Sequence, residues 1–207
     1  MDWSFRNNWD ENAWCREIRK DELRISGYFR ALIGCLDLPG EDDMIFKRLM
    51  SQPELIPTGV TDPYRTLKSE MEALEEDNEL DDEARENRRA HTMDASRRVK
   101  KLAIEWNLLA AGDWGKCSAG ELLKITCAFG KLLSRIYNFE ETAVEAETLN
   151  LRISLLKYSL ADLNTLVEYI MDFQIRSNRN SLNERFIEPL AFVRENLLDR
   201  LRELRMN

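Results

Sequence analysis

A run of apolar residues in the C-terminal half constrains this chain more than any other feature. Leu149, Ile153, Leu156, Leu160, Leu163, Val167 and Ile170 step by 4, 3, 4, 3, 4 and 3. Steps of three and four hold all seven on one side of an α-helix, whereas a strand would divide them between two faces. The run is therefore a heptad seam, roughly 32 Å long at the helical rise per residue. An apolar stripe of that length must be covered, either by neighbouring helices of its own chain or by a second chain. The connection at 177–181 (Ser-Asn-Arg-Asn-Ser) is short, which predicts an antiparallel hairpin with one last helix. In that helix Ile187, Leu190, Leu197, Leu201 and Leu204 share a face, with Arg194 in the gap between Leu190 and Leu197. Ser181 and Glu184 have the spacing of a capping box at its start. Pro189 removes a helical hydrogen bond and should bend it.

The same period recurs upstream. Trp14, Ile18, Ile25, Phe29, Leu32 and Leu36 predict a helix from about Asp10 to Pro39-Gly40, and a short helix over 41–51 would bury Ile45, Phe46 and Leu49. Pro53, Pro57 and Gly59 make 52–62 a loop. Asp62-Pro63 then opens a helix whose apolar face is Tyr64, Leu67, Met71 and Leu74. Val99, Leu102, Trp106 and Leu109 form a further face that ends at Gly112. A second capping box, Ser118 with Glu121, precedes Leu122, Ile125, Phe129, Leu132, Leu133 and Ile136, in a helix that Asn138 would break or bend. Only 8 Gly and 5 Pro are present, too few for the many turns of an all-β fold, and 43% apolar content suffices for a packed core. The expected fold is all-α: a helical bundle over 119–207 carrying the long C-terminal antiparallel hairpin, an N-terminal helical subdomain at 1–51, and a charged helical hairpin at 63–111 joining them.

Charge is unevenly spread. Acids outnumber bases 38 to 30, a net charge of −8, which argues against a bulk nucleic-acid coat because phosphate repels such a chain. Residues 70–83 carry nine acids and no base. Residues 85–101 then carry Arg85, Arg88, Arg89, Arg97, Arg98, Lys100 and Lys101 against two acids, Glu86 and Asp94. This basic cluster is the candidate nucleic-acid contact, and a hairpin near 78–84 would instead pair it with the acidic run and neutralise both. The aromatics Trp3, Phe5 and Trp9, with Trp14 beyond them, form a candidate docking segment or a clamp onto the domain's own core. Leu156, Leu160 and Leu163, at the centre of the seam, are the candidate partner-binding residues if the seam faces another chain.

Motifs for catalysis are sparse. His91 is the one histidine, so a Ser-His-Asp or Cys-His site would rest on it alone. Arg85 and His91, separated by five residues, loosely resemble the Arg-x(4–6)-His motif of HEPN-type ribonucleases, which are also helical. That resemblance would imply a helical nuclease using these two residues. The apolar flanks of the motif are missing here, and a solvated helix face is the favoured reading. Gly112 to Ser118 imitates a phosphate loop, but Ala110 stands where glycine is required and Cys117 where serine or threonine is. Glu140, Glu141, Glu145 and Glu147 lack the histidines of a di-iron bundle. Cys15, Cys35, Cys117 and Cys127 contain no CxxC pair, and Cys15, Cys35 and Cys127 read as buried free thiols. No cofactor is implied. No apolar leader follows Met1, and no apolar run approaches the length of a membrane span. The expectation is an acidic cytoplasmic protein, or a nuclear one in a eukaryotic or viral host. It acts without catalysis, as an adaptor, assembly or regulatory protein with a protein partner, and self-association through the seam is equally compatible with the pattern. Nucleic-acid regulation through 85–101 ranks second.

Overall fold

The computed structural model describes residues 9–32, 34–35, 39–56, 58, 94–113, 117–177 and 181–206. Among them are six α-helices and no β-strand element, so the chain is all-α. It divides into two compact units, residues 1–86 and 87–207.

In the first unit, α1 spans Glu11–Leu32 and α2 spans Glu41–Met50, followed by a single 3-10 turn at Pro53–Leu55. Asp10 caps α1, its carboxylate accepting the Ala13 N–H at 2.7 Å. Gly40 precedes α2 with φ of 70°, a left-handed conformation that a Cβ would strain. Ile45, Leu49 and Leu55 form a small core against which Tyr28, Ala31, Leu32, Cys35 and Met50 pack. The two helices approach closely at Gly27, where a Cβ would lie 2.8 Å from the Leu49 side chain. The face of α1 turned to α2 therefore runs through Arg24, Gly27, Tyr28 and Ala31. Two members of the expected stripe lie elsewhere: Ile25 and Phe29 are exposed. Their seven- and four-residue spacing matched the core period, but the face was set by where α2 can come close.

The second unit is a four-helix bundle of α3 (Asp94–Asp113), α4 (Ala119–Glu141), α5 (Leu149–Ser177) and α6 (Glu188–Met206), with a π-helical turn at Asn183–Ile187 leading into α6. Cross-helix pairs fix the directions. Between α4 and α5, Lys124 meets Tyr169, Arg135 meets Asp162 and Arg152 meets Phe139, so position falls along one helix as it rises along the other. Arg98 with Phe192 and Glu105 with Arg185 show the same reversal where α3 runs beside the last segment, which closes the ring. Each segment contributes one aromatic to a shared layer. Trp106 lies 6.4, 5.5 and 5.6 Å from the rings of Phe129, Phe173 and Phe186, and its indole N–H donates to the Leu122 carbonyl. Offset and edge-on contacts of this kind add to the burial of the rings themselves.

Several local expectations are corrected. Ser118 makes no side-chain cap bond, and Glu121 instead accepts an ion pair from Arg176 of α5 at 2.6 Å. The N-cap before the π turn is Leu182, again without a side-chain bond, so neither capping box forms. Pro189 is the second residue of α6, directly after the π turn. The preceding π turn accommodates it, with the Glu188 N–H reaching the Asn183 carbonyl five residues back. Asn138 does not break α4, which continues to Glu141 and buries Phe139. Val193, not Arg194, fills the gap on α6. On α5 the buried line is Arg152, Leu156, Ser159, Leu163, Leu166, Ile170 and Phe173. Leu149, Leu160 and Val167 of the expected seam are only half-buried, beside that line. The four cysteines are free, and none is fully buried: Cys15, Cys35 and Cys117 are half-buried and Cys127 is exposed. Finally, α3, the last part of the expected 63–111 hairpin, packs in the bundle against α4 and α6.

Candidate interaction surface

Periodicity divides α3 into two faces. Ala95, Val99, Leu102, Trp106 and Ala110 are buried in the bundle. Arg97, Lys101, Ile104 and Leu108, stepping by 4, 3 and 4, form an outer line on the same helix, with Lys100 one turn before Ile104. This line changes character along its length. Its first half is cationic. Its second half is apolar and open to solvent, Ile104 being 53% and Leu108 71% exposed. On α4 the Thr126 hydroxyl donates to the Asn107 side-chain oxygen at 3.3 Å, joining the two helices at the surface. Leu123, one turn before Thr126 on α4, and the adjacent Cys127 are also exposed.

The charges of α3 separate into those paired and those unpaired among the described residues. The Arg98 guanidinium donates to the Asp94 carboxylate at 2.5 Å and lies 4.2 Å over the Phe192 ring. Glu105 accepts from Arg185 at 2.5 Å. Arg97, Lys100 and Lys101 are exposed and have no acid partner among the described residues. Of the basic cluster read from sequence, Arg97, Arg98, Lys100 and Lys101 are thus brought onto one helix, with Arg98 turned to internal duty. Arg85, Arg88, Arg89 and His91 lie outside the described residues, as does the acidic run at 70–83.

The remaining candidates separate in the same way. Trp3 and Phe5 lie outside the described residues. Trp9 is half-buried, its ring edge-on to Trp14 at 5.0 Å. Leu156 and Leu163 are sealed inside the bundle, and Leu160 is half-buried.

Two polar clusters escaped the sequence reading. In the first unit Glu17, only 3% exposed, latches α1 to the segment after α2. It accepts from Arg24 at 3.2 Å and from the Thr58 N–H at 3.3 Å. Lys20 donates to the Thr58 hydroxyl at 2.7 Å and to the Ile56 carbonyl, and Arg24 to the Leu55 carbonyl. Burial raises the Glu17 carboxyl, but the Thr58 bonds, Arg24 and Lys20 together outweigh it and hold the group below its ordinary value. In the second unit Asp162 is gripped by Arg135 at 2.8 Å and Lys131 at 2.9 Å between α4 and α5. Nearby, Arg152 is buried, donates to the Thr142 carbonyl and lies over the Phe139 ring at 4.5 Å. Burial and then the Arg200 charge push its guanidinium below the ordinary value. Every one of these groups bonds to its own fold, so they act as ties between elements. Among the described residues no group of three or more His, Cys, Asp or Glu could hold a metal ion, and no helix is long and apolar enough to cross a membrane. Comparison with family models, with curated proteins and with solved structures finds no match to this chain.

Proposed function

We propose that this chain is a non-catalytic helical adaptor, assembly or regulatory protein that acts through protein–protein contacts. The observation that carries the reading is the outer line of α3, where Ile104 and Leu108 stand in solvent directly beyond three cations with no acid partner among the described residues. Single exposed apolar residues are ordinary on protein surfaces. Two on consecutive turns, beside Leu123 of the next helix and rimmed by charge, have the composition of a contact surface. The bundle beneath supplies rigidity, since the inner side of the same helix is fixed by Trp106 in the aromatic layer.

Nucleic-acid regulation is the second reading, favoured by the exposure of Arg97, Lys100 and Lys101 on one helix. It leaves Ile104 and Leu108 without a role, because phosphate contacts are made by bases and hydrogen-bond donors. The test is differential affinity capture from the native host, using the full chain and its I104S/L108S variant. The reading predicts a protein recovered by the wild type and lost with the variant. Recovery of the same proteins by both, or of nuclease-sensitive nucleic acid alone, would contradict it.

A further inference from the structure

We infer that the outer line of α3 is a docking site for an acidic amphipathic helix of a partner protein. Its carboxylates would sit over Arg97, Lys100 and Lys101, and its apolar side chains over Ile104, Leu108 and Leu123. The inference rests on the protein-contact reading above and adds the chemistry of the partner.

Three observations choose this occupant. The first is length and period. From Arg97 to Leu108 the line covers three helical turns, about 16 Å, and its 4-3-4 steps are the ridge that a second helix packs along. The second is charge. This helix presents three cations with no acid partner among the described residues, in a unit (residues 87–207) that holds 19 bases against 16 acids. An approaching acidic segment is thereby attracted to the cationic end of the line, which favours one orientation. The third is segregation along the axis, with cations at one end and apolar side chains at the other. A helix lying on a lipid surface needs its bases beside the apolar face, not in line with it. Sinking Ile104 and Leu108 into acyl chains would here bring Lys101 to the same depth. A second copy of the chain fits no better. Laid parallel, its α3 would set like charges against each other, and laid antiparallel it would bury cations against Ile104 and Leu108 without a counter-charge. Nucleic acid would satisfy the cationic half and leave the apolar half exposed.

The experiment measures fluorescence anisotropy with the full chain. The probe is a labelled synthetic helical peptide with glutamates on the first two turns of one face and leucines on the next two. Controls are a scrambled peptide of the same composition, the same peptide with lysine replacing glutamate, a labelled single-stranded oligonucleotide, and vesicles of phosphatidylserine and phosphatidylcholine. The acidic peptide is expected to bind, more weakly as salt is raised. Its Kd should rise by about tenfold or more in I104S/L108S. R97E/K100E/K101E should lose the acidic peptide and gain the lysine peptide, a swap that no general weakening of the fold produces. All five substituted residues are exposed, so melting curves should be unchanged. Should the charge-reversed variant fail to fold, binding of the lysine peptide to wild type decides: it should be absent. Equal binding of the scrambled peptide, indifference to the variants, or preferential binding of the oligonucleotide or the vesicles would overturn the inference. If a host protein is captured through Ile104 and Leu108 while the acidic peptide fails to bind, the partner chemistry is wrong and the protein-contact reading stands.

Discussion

Glu17 shows how a single buried charge gives the first unit a measurable pH signature. A carboxylate in a site only 3% exposed is tolerable because cations and N–H groups surround it. Its folded value lies below the ordinary 4.5, so the group stabilises the fold above that pH. As pH falls through the folded value the stabilisation is lost, because protonation removes the charge that Arg24, Lys20 and the Thr58 N–H were holding. Thermal melts of the first unit's transition should therefore drop in acid below about pH 4.5, and E17Q should flatten that limb while lowering stability at neutral pH. An acid limb of identical slope in wild type and E17Q would show that Glu17 is not the group responsible. Nothing in the sequence announced it. Glu17 is one of 38 acids, and its partner Thr58 lies 41 positions away.

Which side of α5 is buried is a property of the whole helix. Leu156, Leu163 and Ile170 repeat every seven residues and belong equally to the expected seam and to the observed line. Ile153 of the expected seam is buried as well, and the two differ in the residues further on: 160 and 167 on one, 159, 166 and 173 on the other. Hydropathy alone favours the first because Ser159 is polar. The bundle takes the second because the Ser159 hydroxyl satisfies itself on the Leu155 carbonyl at 2.9 Å, which removes the cost of burial. L163A should cost about 2–5 kcal/mol by chemical denaturation, the transfer term plus the cavity. L160A should cost clearly less, and E168A at an exposed site should stay within about 0.5 kcal/mol. Equal losses at 160 and 163 would restore the original seam. The other element-level departures have similar causes. Glu121 had two uses open to it, the helix's own N–H groups or Arg176, and only the second depends on a residue distant in sequence. Ile25 and Phe29 continue the helical period of Ile18, but α2 packs on another face of α1, at Gly27, Tyr28 and Ala31. Helix positions and most core members were legible because they depend on local period. Choices between near-equivalent faces and partners were not, because tertiary contacts decide them.

At the scale of the molecule, the consequential finding is the membership of α3 in the bundle. Its sequence is dominated by the charges of Arg97, Arg98, Lys100 and Lys101, which suggested an arm outside the core. Beneath them Val99 and Leu102 are buried, and Trp106 completes the aromatic layer with Phe129, Phe173 and Phe186. The candidate contact surface exists because of this: a helix held on its inner side presents Arg97, Lys101, Ile104 and Leu108 in a fixed line. Native-state hydrogen exchange on the full chain tests that claim directly. Amides of Val99, Leu102 and Trp106 should exchange only through the same large opening as those of Phe129 and Leu163, with matching free energies and matching response to denaturant. Amides of α3 that exchange far faster than those of α4 and α5, by local opening insensitive to denaturant, would show that α3 is a loosely attached arm and would remove the basis of the proposed surface.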